Sequence, residues 1–120
     1  MDNYTKKIIF FMNNQNFNGE IKNPTHTLSM KSLECGDWND VFIRVDNNQK
    51  IIDIKYKNSG CSLNIAALEI ICNYLSNKDI SEIENLTPEL VRKELDYPVS
   101  KQNCIDLAIS NLTSINKKNL

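Results

Sequence analysis

Three cysteines carry the chemistry this sequence offers. Cys35 stands in Cys35-Gly36-Asp37, Cys61 follows Gly60 at the head of a long apolar run, and Cys104 follows a proline-containing segment. Cys61 and Cys104 each fall in the first turn of an expected helix. Unpaired backbone N–H groups there favour an anion, so both thiols are expected to ionise more readily than a free cysteine. Gly36 lets backbone approach a ligand beside Cys35, and Asp37 offers a carboxylate that can ligate a hard metal or accept a proton. Three thiolates and a carboxylate converging on one edge suit zinc or an iron–sulfur cluster. The spacing alone is a weak signal, because the chain holds no C-x-x-C pair. Free cysteine is also among the most buried residue types. Cys72 is assigned to that role, since it lies on nearly the same helix face as Cys61 but roughly 16 Å farther along the axis. His26 is read as a surface histidine, Trp38 as a rim aromatic, and Lys117-Lys118 as a solvated tail.

The elements that must position these residues follow from periodicity. Val41, Ile43 and Val45 alternate with polar neighbours, and Ile52, Ile54 and Tyr56 repeat the pattern after Asn47-Asn48-Gln49-Lys50. Two such runs joined by a short polar loop predict a hairpin. Its ends return to one place, which sets Cys35 beside Cys61. Leu28 and Met30 predict a third strand. Tyr4, Ile8, Phe11 and Met12 predict a helix that stops in the Asn13–Asn18 stretch before Gly19. Leu63, Ala66, Ala67, Ile70, Ile71, Tyr74 and Leu75 lie at helical spacing, with Ile65, Leu68 and Cys72 widening the stripe, so this should be the best-buried helix. Asp79 with Glu82 predicts a capping box. Thr87-Pro88-Glu89 predicts a helix start, and that helix ends by Asp96 because Pro98 forbids its continuation. Ser100 is expected to cap a last helix with Cys104, Leu107, Ala108, Leu112 and Ile115 inward. The expectation is a single α+β domain over 1–120: a small three-stranded antiparallel sheet with helices packed on one face, fraying at 1–3 and 116–120.

Composition narrows the classes of function. At 120 residues, with 41% hydrophobic and 24% charged residues, the chain is sized for one core. A net charge of −1 gives no basic field for phosphate contacts, so no nucleic-acid partner is expected. No apolar run approaches the roughly 20 residues of a membrane span. The N-terminal residues lack signal-peptide features, which points to the cytoplasm and to reduced thiols.

Cys35-Gly36-Asp37, then a two-stranded run, then Gly60-Cys61-Ser62 opening an apolar helix, resembles the iron–sulfur cluster scaffold family (the IscU, SufU and NifU N-terminal group). Tyr97-Pro98-Val99-Ser100-Lys101-Gln102-Asn103-Cys104 is similar to that family's proline-rich segment ending in His-Cys. Tyr4, Lys7 and Ile8, followed by the Asn-rich turn and Gly19-Glu20-Ile21, match its opening helix and loop. The resemblance runs from Tyr4 to Ile115. It implies that Cys35, Cys61 and Cys104, with Asp37, hold a transient [2Fe–2S] cluster or a zinc ion. It also implies a cysteine desulfurase as sulfur donor, recipient apo iron–sulfur proteins, and a chaperone as a further partner, in a carrier role rather than turnover catalysis. The sequence departs from the family at Asn103, where histidine would be a metal ligand, leaving the fourth position to Asp37, water or a partner. Lys101 is an auxiliary residue of the same segment. Ser100 interrupts the family's chaperone-recognition run. Gly60-Cys61-Ser62 resembles the SufU form, but the Leu75-to-Leu86 connection is shorter than in that branch. The alternatives are a zinc-bound sulfur acceptor that stimulates a desulfurase and a non-metallated interaction module. Oligomeric state is left open.

Overall fold

The alternating residues of the expected hairpin do form strands, and a third joins them on one side only. The computed structural model describes residues 2–32 and 36–115. Strands β1 (His26–Lys31), β2 (Trp38–Val45) and β3 (Ile51–Ser59) make an antiparallel sheet in the order β1-β2-β3. Leu28, Val41 and Tyr56 lie abreast across it, as do Ile43 and Ile54 on β2 and β3. All five are buried, and they form the inward face.

The alternation breaks once. Arg44 pairs with Asp53 but Val45 pairs with Ile51, so Ile52 is the extra residue of a β-bulge. The slip turns Ile51 into the core and leaves Ile52 50% exposed. The sequence pattern, which placed Ile52 inward, is corrected there.

Helix α1 (Asn3–Asn13) is capped by Asp2, whose Oδ1 accepts the Thr5 N–H at 2.7 Å. Asp2 and Asn3, where fraying was expected, are thus part of the helix start. Tyr4, Ile8 and Phe11 pack on the core, but Met12, expected with them, is exposed. The chain beyond α1 runs along the free edge of β3: Gly19 donates to the Tyr56 carbonyl at 2.8 Å, and the Tyr56 N–H donates to the Phe17 carbonyl at 2.9 Å. That bridge occupies the edge at Tyr56 and blocks pairing with another chain there.

Helix α2 (Ser62–Leu75) is apolar almost all round and buried accordingly. Its Glu69, 3% exposed, accepts the Asn16 and Phe17 N–H groups at 2.9 and 3.0 Å, which pins the α1–β1 loop to the core. A 3₁₀ helix, Ile80–Asn85, follows. Asp79 caps it through the Ser81 N–H at 2.9 Å. The expected reciprocal contact is absent, because the Glu82 carboxylate instead accepts from Tyr74 and Asn85. Helix α3 (Pro88–Glu94) begins with proline at its first position, as expected.

Ser100 does not cap the last helix. A 3₁₀ turn, Val99–Lys101, runs straight into α4 (Gln102–Thr113), and Pro98 stands at the entry. The face of α4 is also rotated from the expected one. Ile105, Ala108, Asn111, Leu112 and Ile115 are buried, whereas Cys104 and Leu107 are half-buried. Asn111 sets this rotation, because its amide donates to the Leu28 and Asn39 carbonyls at 3.0 and 3.2 Å and also to the Asn39 side chain. With α2 and α4 seated on the sheet and α1 and α3 flanking α2, the helices lie on one face. No helix among the described residues is long and apolar enough to cross a membrane.

Candidate metal centre

The end of the sheet where β2 begins and β3 finishes is where the chemistry gathers. Trp38 pairs with Ser59 as the last rung of the ladder, so Asp37 and Gly60 lie just beyond it at the same end of the sheet. The turn before Asp37 is closed by the Ser32 N–H donating to the Asp37 carbonyl at 2.6 Å and the Gly36 N–H to the Ser32 carbonyl at 3.0 Å. Gly36 takes φ +75° within it, a left-handed conformation that glycine adopts without strain. Cys35 lies outside the described residues.

Cys61 is the N-cap of α2, with an extended backbone and no side-chain capping bond. Serine, threonine, aspartate or asparagine usually fills that role; here the residue is a cysteine whose sulfur hydrogen-bonds to Cys104 instead. Cys104 is the third residue of α4. It is held there by a network at the preceding corner: the Arg92 guanidinium lies 4.3 Å over the Tyr97 ring and donates to Gln102 Oε1 at 2.9 Å. Tyr97 donates to the same oxygen at 2.9 Å. Across the molecule from any sequence neighbour, the sulfurs of Cys61 and Cys104 stand 3.2 Å apart and share a hydrogen bond. A tetrahedral ion with thiolates at about 2.3 Å holds its sulfurs about 3.8 Å apart, so a small spreading of the pair admits one.

At Cys104 the electrostatics run against the expectation. Cys104 is pushed up to about 12, first by burial and then by the Cys61 sulfur, with Asp37 adding and Lys101 opposing. The helix-start argument fails at Cys104 because the 3₁₀ turn already engages the first N–H groups of α4: Lys101 and Gln102 donate to the Pro98 and Val99 carbonyls. The open N–H groups therefore lie a turn upstream. That Asp37 and Lys101 both act on Cys104 places the two expected site residues within its field. Tyr4 on α1 is there too, raised first by burial and then by Cys61 and Cys104. Asn103, next to Cys104, is exposed.

Cys72 is fully buried in the core with its thiol pushed up by desolvation, as assigned from the sequence. His26 lies at the far end of the sheet, opposite Ile43, and its ring Nδ1 is 3.0 Å from Thr25 Oγ1. Among the described residues, no group of three His, Cys, Asp or Glu side chains is close enough to hold a metal; what they offer is a pair of thiols with a carboxylate nearby. That donor set, soft sulfur with one exchangeable oxygen, suits zinc or iron.

Sequence reasoning missed two neighbours of this site. One is Tyr4, whose helix it placed without orienting. The other is Asn64, 1% exposed, whose signal was visible as a polar residue inside the run Leu63-Asn64-Ile65-Ala66-Ala67.

The sequence matches the family described as NifU-like N terminal domain over residues 3–118. It is 38% identical over 74 residues to the iron-sulfur cluster assembly enzyme IscU of Drosophila melanogaster, a match covering 62% of this chain and 48% of that one. It is 30% identical over 117 residues to the iron-sulfur cluster assembly scaffold protein IscU of Buchnera aphidicola, covering 88% and 86%. The chain thus spans about half the length of some relatives and most of others. Among solved structures, a putative iron-sulfur cluster assembly scaffold protein for the SUF system from Fervidobacterium islandicum superposes with a TM-score of 0.73 at 22% identity, covering 92% of this chain and 93% of that one. The N-terminal part of a NifU-like protein from Brucella abortus gives a TM-score of 0.73 at 17% identity, covering 91% and 88%. At those identities the likeness concerns the fold.

Proposed function

The chain belongs to the NifU-like N-terminal domain family, and from that premise we propose that it is a scaffold for iron–sulfur cluster assembly and transfer. The observation that carries this reading is the pairing of Cys61 with Cys104 at 3.2 Å, beside Asp37 at the end of the sheet. Cys35, Cys61 and Cys104 are the thiolate ligands of the cargo, a labile [2Fe–2S] cluster or a single metal ion. Asp37 supplies a carboxylate that exchanges more readily than thiolate and keeps the cargo transferable. Each thiol gives up its proton as it ligates, and the Lys101 charge favours that loss at Cys104. Asn103 leaves the position beside Cys104 without an imidazole, so the fourth ligand is Asp37, water or a partner's group. Sulfur comes from a cysteine desulfurase as persulfide, an external electron donor supplies the electrons that reduce it to sulfide, and recipient apo iron–sulfur proteins take the product. Val99, 79% exposed on the corner before α4, is available to a chaperone. The role is that of a carrier, in the cytoplasm, where thiols stay reduced.

Anaerobic reconstitution with ferrous iron, cysteine, a cysteine desulfurase and a thiol reductant tests this. The expected result is the charge-transfer absorbance of a [2Fe–2S] cluster, followed by its transfer to an apo-ferredoxin, with both lost in Cys61→Ser and Cys104→Ser. Bound zinc with desulfurase stimulation and no cluster would instead make the protein a sulfur acceptor. Neither metal nor stimulation would leave an interaction module.

A further inference from the structure

Asn64 presents a buried amide with no hydrogen-bond partner among the described residues. It is three residues after Cys61 in the first turn of α2, its backbone N–H donates to the Cys61 carbonyl at 3.0 Å, and its side chain is 1% exposed. Among the described residues, neither its Nδ2 nor its Oδ1 has a hydrogen-bond partner. Buried amides are almost always paired, and an exception calls for an explanation. An aliphatic residue at this point would continue the apolar run around it without that penalty.

The surroundings of Gly60 show what the amide faces. A Cβ built on Gly60 would stand 3.0 Å from Asn64 Nδ2 and 3.1 Å from Asp37 Oδ2. Both groups therefore close on the same small space, which stays open only because Gly60 has no side chain. One side of that space offers an unpaired N–H donor, the other a carboxylate, which accepts and cannot donate.

We propose that Asn64 is a positioning residue for the metal centre. When Asp37 ligates, Nδ2 of Asn64 donates to one carboxylate oxygen and turns the other toward the metal beside Cys61 and Cys104. A neutral amide suits the task, because it orients an anionic ligand without adding a charge to the site. Ligating carboxylates are themselves hydrogen-bonded, and loss of such a partner typically lowers metal affinity 10–100-fold. The inference rests on the reading of Asp37 as a ligand.

The test uses zinc alone and cobalt alone, without desulfurase. Asn64→Ala should lose Zn(II) to a chelator about 10-fold faster than the parent and shift the visible bands of the Co(II) form. The urea midpoint of the metal-free protein should stay level or rise, since an unpaired buried amide has been removed. In an Asp37→Ala background, Asn64→Ala should change the loss rate by less than about twofold, because the two residues act as one unit. Asn64→Ser, which keeps a donor, should lie between Asn64→Ala and the parent, and it decides the matter if the alanine variant folds poorly. Equal loss rates in the parent and the Asn64→Ala protein, or the same fold-change in both backgrounds, overturn the proposal. If Asp37→Ala alone leaves zinc loss unchanged, the ligand reading of Asp37 fails instead, and the two failures are told apart.

Discussion

In the metal-free protein, alkylation of Cys104 should be about 1000-fold slower at pH 8 than alkylation of an ordinary thiol. The thiolate is the reacting species, and each pKa unit changes its fraction about tenfold once pH is below the pKa. Raising Cys104 from 9.0 to about 12 takes the thiolate from roughly a tenth of molecules to roughly one in ten thousand at that pH. The rate should then climb about tenfold per pH unit from 8 to 11 rather than level off near 9. Cys61→Ala, which removes the neighbouring sulfur, should speed the reaction but not restore the full thousandfold, because burial is the largest cause of the shift. Lys101→Ala should slow it, since that ammonium favours the thiolate. Iodoacetamide labelling read peptide by peptide in a mass spectrometer gives each rate. Cys104 labelling at pH 8 as fast as N-acetylcysteine, or indifference to Cys61→Ala, refutes the picture of a buried, sulfur-coupled thiol. By the same reasoning metal must displace a proton from Cys104, so affinity for zinc should rise with pH through the neutral range.

Asn103→His should slow zinc loss to a chelator with little change in folding, by offering an imidazole at an exposed position beside Cys104; unchanged or faster loss would mean that Asn103 does not stand where the family's histidine stands. Glu69→Ala should cost about 1–3 kcal/mol, read as a lower urea midpoint, because the Asn16 and Phe17 N–H groups lose their shared acceptor; an unchanged midpoint would show that the loop is not held by that carboxylate. The metal-free fold should weaken as pH rises from about 9 to about 12. Below that window both folded and unfolded chains keep the Cys104 proton, whereas within it only the unfolded chain ionises, so unfolding gains. The upward-shifted Cys72 and Tyr56 act in the same direction, and thermal melts across that range check the slope.

Local sequence determined the elements themselves. Period-two runs made β2 and β3, Thr87-Pro88 started α3, Pro98 marked the next break, and the unbroken apolar stripe after Gly60 made α2 the buried helix, with Cys72 inside it. Each of these follows from steric and burial rules that act within a few residues. The return of the hairpin's two ends to one place was also legible, because an antiparallel pair must bring them together. Contacts between distant segments were decided by tertiary structure. The bulge at Ile52 answers to the pairing of two strands, and neither strand's own pattern encodes it. The face of α4 answers to Asn111 reaching the backbone of Leu28 and Asn39, which moved Ile105 inward and left Cys104 half-buried. The upward shift of Cys104 likewise depends first on burial under neighbouring elements and then on a sulfur 43 positions away in sequence. No helix-start rule contains either. Asn64 shows the limit most plainly: the sequence displays a polar residue among apolar ones, but only the packed structure shows that its amide and the Asp37 carboxylate both approach Gly60.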